Sequence, residues 1–363
     1  MNRHQRALQL IADARPAVLD DAPGRPVPSF PDRPLPVRPA PRAGRRLILT
    51  GLVPTVAAVI TGIVVVTAAA DPPVDSPPSG RSVAPAPPVT ARGILLAAAE
   101  KTTTSAPATG DYWVTKIELR HRYDVGDYTV LGRSEVENWY PLKSGGGITY
   151  TSRWLGAGPD TDADKAAWRA AGSPKKWTLP APPGDQQARR RELPAGPGAR
   201  DVSFSADGTF AIGGVPRTYA QIQAMPGDPA KLKAYLIGLD EAAGHDGKWT
   251  RDELDRWHVE MLFTQSWALL TELPVSTEVR VATYRMLADL PGLTAEGSVR
   301  DAKGRTGAAI SHTSQVSEDG KVRSVKTRLV LDPESGALLS QEQGPGTSVL
   351  LDAHFSNDAP PRP

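Results

Sequence analysis

The sequence predicts an α+β protein: a single transmembrane helix followed by an antiparallel sheet covered by helices. Three observations carry this. Leu47 to Ala70 runs 24 residues without a charge. Apolar and polar residues alternate between Trp113 and Trp154 and again from Leu293 to Ala353, the period of two expected of strands with one buried face. Helical patterns fill the region between, so strands and helices are segregated along the chain, as in α+β folds.

In chain order, residues 1–15 (MNRHQRALQLIADAR) place Leu8, Ile11 and Ala12 on one face of a short helix suited to the inner leaflet or to a partner. Nine prolines between Pro16 and Pro41 then forbid regular helix and make an extended spacer. With nine Arg against four Asp, residues 1–46 form a basic tail attracted to anionic lipid.

As a helix, the uncharged stretch would reach about 36 Å, enough to cross a hydrocarbon core of about 30 Å with some tilt. Twelve of its residues are Leu, Ile or Val, so insertion is favourable. Arg42, Arg45 and Arg46 precede it and Asp71 follows, which places residues 1–46 in the cytoplasm and the bulk of the chain outside. A removed secretion signal ending at Ala68-Ala69-Ala70 is the rival reading, but signal cores run only about 7–15 residues.

Residues 71–90 hold seven prolines and little that could be buried, and read as a semi-rigid stalk. The folded domain is expected over residues 91–355. Thr90 caps a helix from Ala91 to about Thr103 with Ile94, Leu95 and Ala98 on its apolar face. Trp113, Ile117 and Leu119 alternate in a first strand, Tyr128 to Tyr140 makes a second, and Ile148, Tyr150 and Trp154 mark a third. Residues 156–200 lose the pattern and read as a long, flexible, exposed insertion with one short helix around Ala163 to Ala171. A hairpin is expected over Val202 to Ile212, turning at Asp207-Gly208 and bringing Phe204 near Phe210. Helices follow over Tyr219 to Met225, Pro229 to Leu239, Arg251 to Leu273 and Thr277 to Leu290. Five strands close the chain, at Leu293–Arg300, Arg305–Ser314, Lys321–Leu331, Ala337–Gln343 and Thr347–Ala353, and residues 356–363 are expected to be disordered.

Composition narrows function by exclusion. The formal charge of +2 lacks the concentrated basic face of a nucleic-acid binder, and without cysteine there is no disulfide, thiolate metal site or cysteine nucleophile. His4, His121, His245, His258, His312 and His354 show no HExxH or paired-ligand spacing. No Gly-x-Ser-x-Gly elbow, Walker A loop or Gly-x-Gly-x-x-Gly fingerprint occurs. The expectation is a non-enzyme without cofactor. Two acidic motifs resemble calcium loops in part. HDGKWTRDE (His245 to Glu253) matches the second half of an EF-hand loop, but Thr250 and Glu253 have the spacing of a helix capping box. Asp160, Asp162 and Asp164 have the alternation of a hard-cation loop, yet Lys165 stands where a Gly is needed, and a helix dipole explains these acids as well. Trp113, Trp139, Trp154 and Trp267 are expected in the core, or lining an apolar pocket if the sheet curves away from its helices.

The tail and span, together with GILLAAAEKTTTSAPATGDYWV, TYAQIQAMPGDPAKLKAYL, STEVRVATYRMLADLPGLTAEGSVRDAKGRTGAAI and LVLDPESGALLSQE, resemble an uncharacterised family of actinobacterial single-pass membrane proteins often encoded beside extracytoplasmic-function sigma factors. The sharpest parts are Tyr284 to Gly307 and Asp332 to Leu339. More distantly, the element order is similar to the curved-sheet domains of lipoprotein carriers and of a periplasmic envelope-stress regulator. Topology and the missing catalytic motifs lead to the expectation of a membrane-anchored extracytoplasmic module that binds an envelope protein or lipophilic ligand; the resemblance implies a regulatory role, with a cytoplasmic regulator as the partner of residues 1–46. The alternatives are a tethered assembly or lipid-handling factor and, third, an extracytoplasmic hydrolase.

Overall fold

The computed structural model describes residues 89–103, 109–143, 146–179, 191–206, 208–242, 249–318 and 321–362. The expected tail and span, residues 1–70, and residues 71–88 of the expected stalk lie outside them. Among the described residues, no helix is long and apolar enough to cross a membrane.

The fold is α+β with a large antiparallel sheet. The first three strands are β1 (Tyr112–Asp124), β2 (Thr129–Pro141) and β3 (Ile148–Pro159). The last five are β9 (Thr294–Arg300), β10 (Thr306–Glu318), β11 (Lys321–Leu331), β12 (Leu338–Gln343) and β13 (Gly346–Ser356). Strand β6 (Arg200–Ser205) adds to β3, giving nine strands among the described residues in the order β6-β3-β2-β1-β13-β12-β11-β10-β9. The two halves join where β1 pairs with β13, with Trp113 opposite Phe355. Their rings meet edge to face at 4.9 Å.

Because side chains alternate across a strand, Trp113 and Ile117 of β1 share one face with Ile310 of β10, Leu329 of β11 and Tyr140 of β2, and helices close that face. Helix α1 (Ala91–Thr102) starts where Thr90 accepts from the Gly93 N–H at 3.0 Å, as its sequence predicts. It buries Ile94, Leu95, Ala98 and Ala99 and packs along α6 (Thr277–Ala288). Arg92 donates to the carbonyl of Ala288 at 3.2 Å and pairs with Asp289, which satisfies the end of α6. Each fully buried Leu or Ile of this layer contributes about 1.5–3 kcal/mol.

Between the sheet halves lie α2 (Asp162–Ala170), the hairpin β4–β5 (Lys176–Leu179, Arg191–Pro194), the hairpin β7–β8 (Phe210–Ile212, Val215–Arg217), α3 (Tyr219–Gln223), α4 (Pro229–Ala242) and α5 (Arg251–Trp267). Thr250 and Glu253 do form the capping box of α5: the Glu253 N–H reaches Thr250 Oγ1 at 3.3 Å, and the Thr250 N–H reaches Glu253 Oε2 at 2.9 Å. The helix expected to run unbroken to Leu273 instead ends in a π-helical turn, Ala268–Glu272, closed by Leu273 N–H to Ala268 O at 2.9 Å; Pro274 follows and cannot continue it.

Two further expectations are corrected. Val202 to Ile212 is not a hairpin. Val202 and Phe204 belong to β6 on the sheet edge, Phe204 is 62% exposed, and Phe210 is buried in β7, which turns through Gly213 and Gly214 into β8. Both glycines have positive φ, which a tight two-residue hairpin turn requires. Residues 156–200, expected to be an exposed excursion, carry α2, β4 and β5 and build a second hydrophobic cluster. Trp177 and Leu193 are buried there with Val130, and Trp154 and Trp168 pack against them. Residues 180–190 lie outside the described residues. At the C-terminus, Ser356 is the last residue of β13, paired with Tyr112.

Candidate functional site

The opposite face of the sheet is charged around a small buried apolar cluster of Ala309, Val330 and Leu339. Lys116 of β1 pairs with Glu135 of β2 at 3.0 Å, Arg120 with Glu118 at 2.7 Å, and Lys326 of β11 with Glu296 of β9 at 2.6 Å. Arg328 of β11 holds Glu342 of β12 and lies 3.4 Å from Glu296. The period-two pattern of the strands dictates this segregation, since the partners of core residues must point the other way.

The β9–β10 turn, residues 301–305, lies over this face. Arg305 donates to the carbonyls of Leu350 (3.1 Å) and Leu339 (3.0 Å) and pairs with buried Asp301. Lys303 Nζ reaches Glu118 Oε2 at 3.0 Å. Four strand steps separate β10 from β1, about 19 Å in a flat sheet at about 4.8 Å per step. A lysine side chain spans about a third of that, so the sheet is far from flat here. Burial by itself would raise the Glu118 carboxyl, but the hydrogen bonds and charges of Lys303 and Arg120 outweigh it and hold it below the usual carboxylate range.

Between the turn and the sheet opens a recess of about 250 Å³, lined by Arg120, Arg122, Leu131, Asp160, Arg300, Asp301, Ala302, Arg328, Glu342 and Thr347. Its carboxylates are engaged: Asp160 by Arg122 at 2.6 Å, Asp301 by Arg305, and Glu342 by Arg328. Arg300 has no ion-pair partner among the described residues and is exposed. Such an arrangement offers planar, fixed donors to an anion.

The predicted site residues scatter. Trp113 and Trp267 do come together: the Trp113 indole donates to the Glu272 carbonyl at 2.8 Å and the Trp267 indole to the Glu272 carboxylate at 2.7 Å. They are 2% and 1% exposed, sealed within the core, so they line no open pocket. Trp139 lies on the charged face, donating to Glu137 at 2.7 Å, and Trp154 lies in the second cluster, donating to the Pro194 carbonyl at 2.8 Å. The four therefore do not share one apolar cavity.

Asp160, Asp162 and Asp164 do not converge either. Asp164 closes the capping box of α2 with Thr161 and accepts the Thr129 N–H at 2.8 Å; these bonds lower its carboxyl below the usual range. Asp162 sits in the same first turn, and Asp160 turns to Arg122. Among the described residues, no group of three His, Asp or Glu side chains is placed to hold a metal. The EF-hand-like stretch lies outside the described residues over 243–248.

The recess is not legible in the sequence. Arg120 alternates with Leu119 and is legible on a wet strand face, but nothing local in the sequence announces that Arg122, Arg300 and Arg328 gather around it. In comparisons with known proteins, no family model and no curated protein matches the chain.

Proposed function

We propose that this chain is a single-pass, membrane-anchored, non-catalytic binding protein whose α+β domain stands outside the cytoplasm and takes its ligand on the charged face of a curved sheet. One observation carries the reading. Helices close the apolar face, whereas the charged face keeps a recess under the β9–β10 turn. Sealed Trp113 and Trp267 turn the reading away from a lipophilic ligand in the core.

The anchor rests on the uncharged stretch 47–70 and the arginines before it, with residues 71–90 as the stalk. The resemblance to proteins encoded beside sigma factors makes residues 1–46 the segment that reports binding to a cytoplasmic regulator. The recess offers paired arginines and carboxylates but no nucleophile oriented by a base, which supports binding over hydrolysis.

The test is protease accessibility of the full chain in its own membrane, followed by mass spectrometry of the gently purified protein. Digestion of the folded domain from outside and a co-purifying ligand or envelope protein are expected. A cytoplasmic domain, or turnover of ester, peptide or glycan substrates, would refute the reading.

A further inference from the structure

The recess has a charge preference. We propose that it binds a small anion, a phosphate- or carboxylate-bearing group, gripped by Arg300 together with Arg120, Arg122 and Arg328. This rests on the reading of the charged face as the binding face and names the chemistry it would take.

The arginines come from strands far apart in the sheet, β1, β9 and β11, and converge only because the β9–β10 turn folds over the charged face. Three are already held by carboxylates: Arg120 by Glu118, Arg122 by Asp160 and Arg328 by Glu342. Their side-chain entropy is spent before any ligand arrives, so their remaining N–H groups are pre-organised. Arg300 is the charge left over, at the rim. In the wall of the recess the cations Arg120, Arg122, Arg300 and Arg328 outnumber the carboxylates Asp160, Asp301 and Glu342 by one. A cationic ligand would find every carboxylate in the wall occupied and would meet Arg300 at the rim. Cations gathered in a concavity also concentrate the field there, which favours capture of an anion.

Size limits the ligand. At about 30 Å³ per water the recess holds the equivalent of about eight waters, below the usual range for drug-sized ligands. That fits a small anion or the charged headgroup of a larger molecule.

The experiment uses the full chain in nanodiscs of zwitterionic lipid, titrated calorimetrically with pyrophosphate at low salt, and a parallel preparation containing phosphatidylglycerol read for retained lipid by native mass spectrometry. Arg300→Glu is the test variant; being exposed and unpaired, it leaves the fold intact, which circular dichroism checks. Arg285→Glu, an equal charge change on the exposed side of α6, is the control. Stoichiometric pyrophosphate binding weakened about tenfold or more by Arg300→Glu, and less than about twofold by Arg285→Glu, supports a soluble anion. Phosphatidylglycerol retained by the native chain and lost in Arg300→Glu, without pyrophosphate binding, supports a lipid headgroup. Binding of neither anion, or equal binding by native and Arg300→Glu chains, overturns the proposal. A neutral ligand co-purifying with an outward-facing domain would overturn it while leaving the binding-module reading intact; a cytoplasmic domain would sink that reading without touching a measured anion affinity.

Discussion

Lys303 Nζ stands 3.0 Å from Glu118 Oε2, tying the β9–β10 turn to the opposite half of the sheet. The Glu118 side chain is 3% exposed and that of Lys303 is 40%, so the carboxylate depends on the contact more than the ammonium does. Lys303→Ala is expected to lower unfolding free energy at pH 7 by about 1–2 kcal/mol, less than a fully buried pair would cost, because Arg120 remains and water screens Lys303. Since the folded state depresses the Glu118 pKa, its contribution is present above the unfolded carboxylate pKa and disappears as pH falls through the folded one. Urea unfolding between pH 7 and pH 3 should therefore show a smaller loss in Glu118→Gln than in the native chain; identical pH profiles would refute the assignment.

Arg305 holds the same turn by its fork, reaching Leu339, Leu350 and Asp301 at once. Arg305→Ala leaves buried Asp301 with only the backbone N–H groups of Lys303 and Arg305 and is expected to cost about 2–3 kcal/mol, less than a fully buried pair because Arg305 is itself partly exposed. Arg305→Lys keeps the charge but not the fork, and should fall between the two. Denaturant midpoints order the three proteins; a lysine variant as stable as the native chain would mean that charge alone matters.

The two indole N–H groups on Glu272 are separable. Glu272→Ala removes the acceptor for Trp267 but keeps the backbone carbonyl that Trp113 uses, and is expected to cost about 1–3 kcal/mol. In a Trp267→Phe background the same change should cost markedly less, a coupling that a double-mutant cycle measures.

Gly336 joins three elements. Its φ is +73°, a Cβ placed there would lie 2.7 Å from the Ala98 carbonyl oxygen, and its own carbonyl accepts the Tyr284 hydroxyl at 2.6 Å. Gly336→Ala is expected to cost about 2–4 kcal/mol and Tyr284→Phe about 1–2 kcal/mol, read from thermal unfolding. Equal stability of Gly336→Ala and the native chain would contradict the packing of α1 on the β11–β12 turn.

Calcium should not stabilise this protein through the DTDADK stretch, because Asp160 is engaged by Arg122 and Asp164 by the α2 cap. Melting temperatures in excess calcium and in chelator are expected to coincide. A rise lost in Asp160→Asn would revive the cation reading.

Much of this fold was legible where periodicity and capping speak with one voice. Thr90 and Thr250 announce their helices because a cap is a contact within four residues, and β1 and β11 announce themselves by alternation. The failures lie where local signals compete. Asp207-Gly208 looked like a hairpin turn, yet Gly213-Gly214 is the one used, because Phe210 and Ile212 then reach the core while Phe204 stays on an edge. The stretch 156–200 looked exposed by its prolines, although Trp168 and Trp177 were large apolar residues that needed cover. The charged recess was illegible for a different reason: its walls come from strands distant in sequence, and only the fold of the sheet makes them neighbours.

The pairing of the first long strand with the last sets a timetable for biogenesis. At about 5–20 residues per second, about 12–50 s separate the emergence of Tyr112 from that of Ser356, and throughout that interval β1 has an open edge available to any other strand. A nascent domain built this way needs shielding until its C-terminus is free, and a chain stopped short of Gly346 would leave its two half-sheets without the strand that joins them.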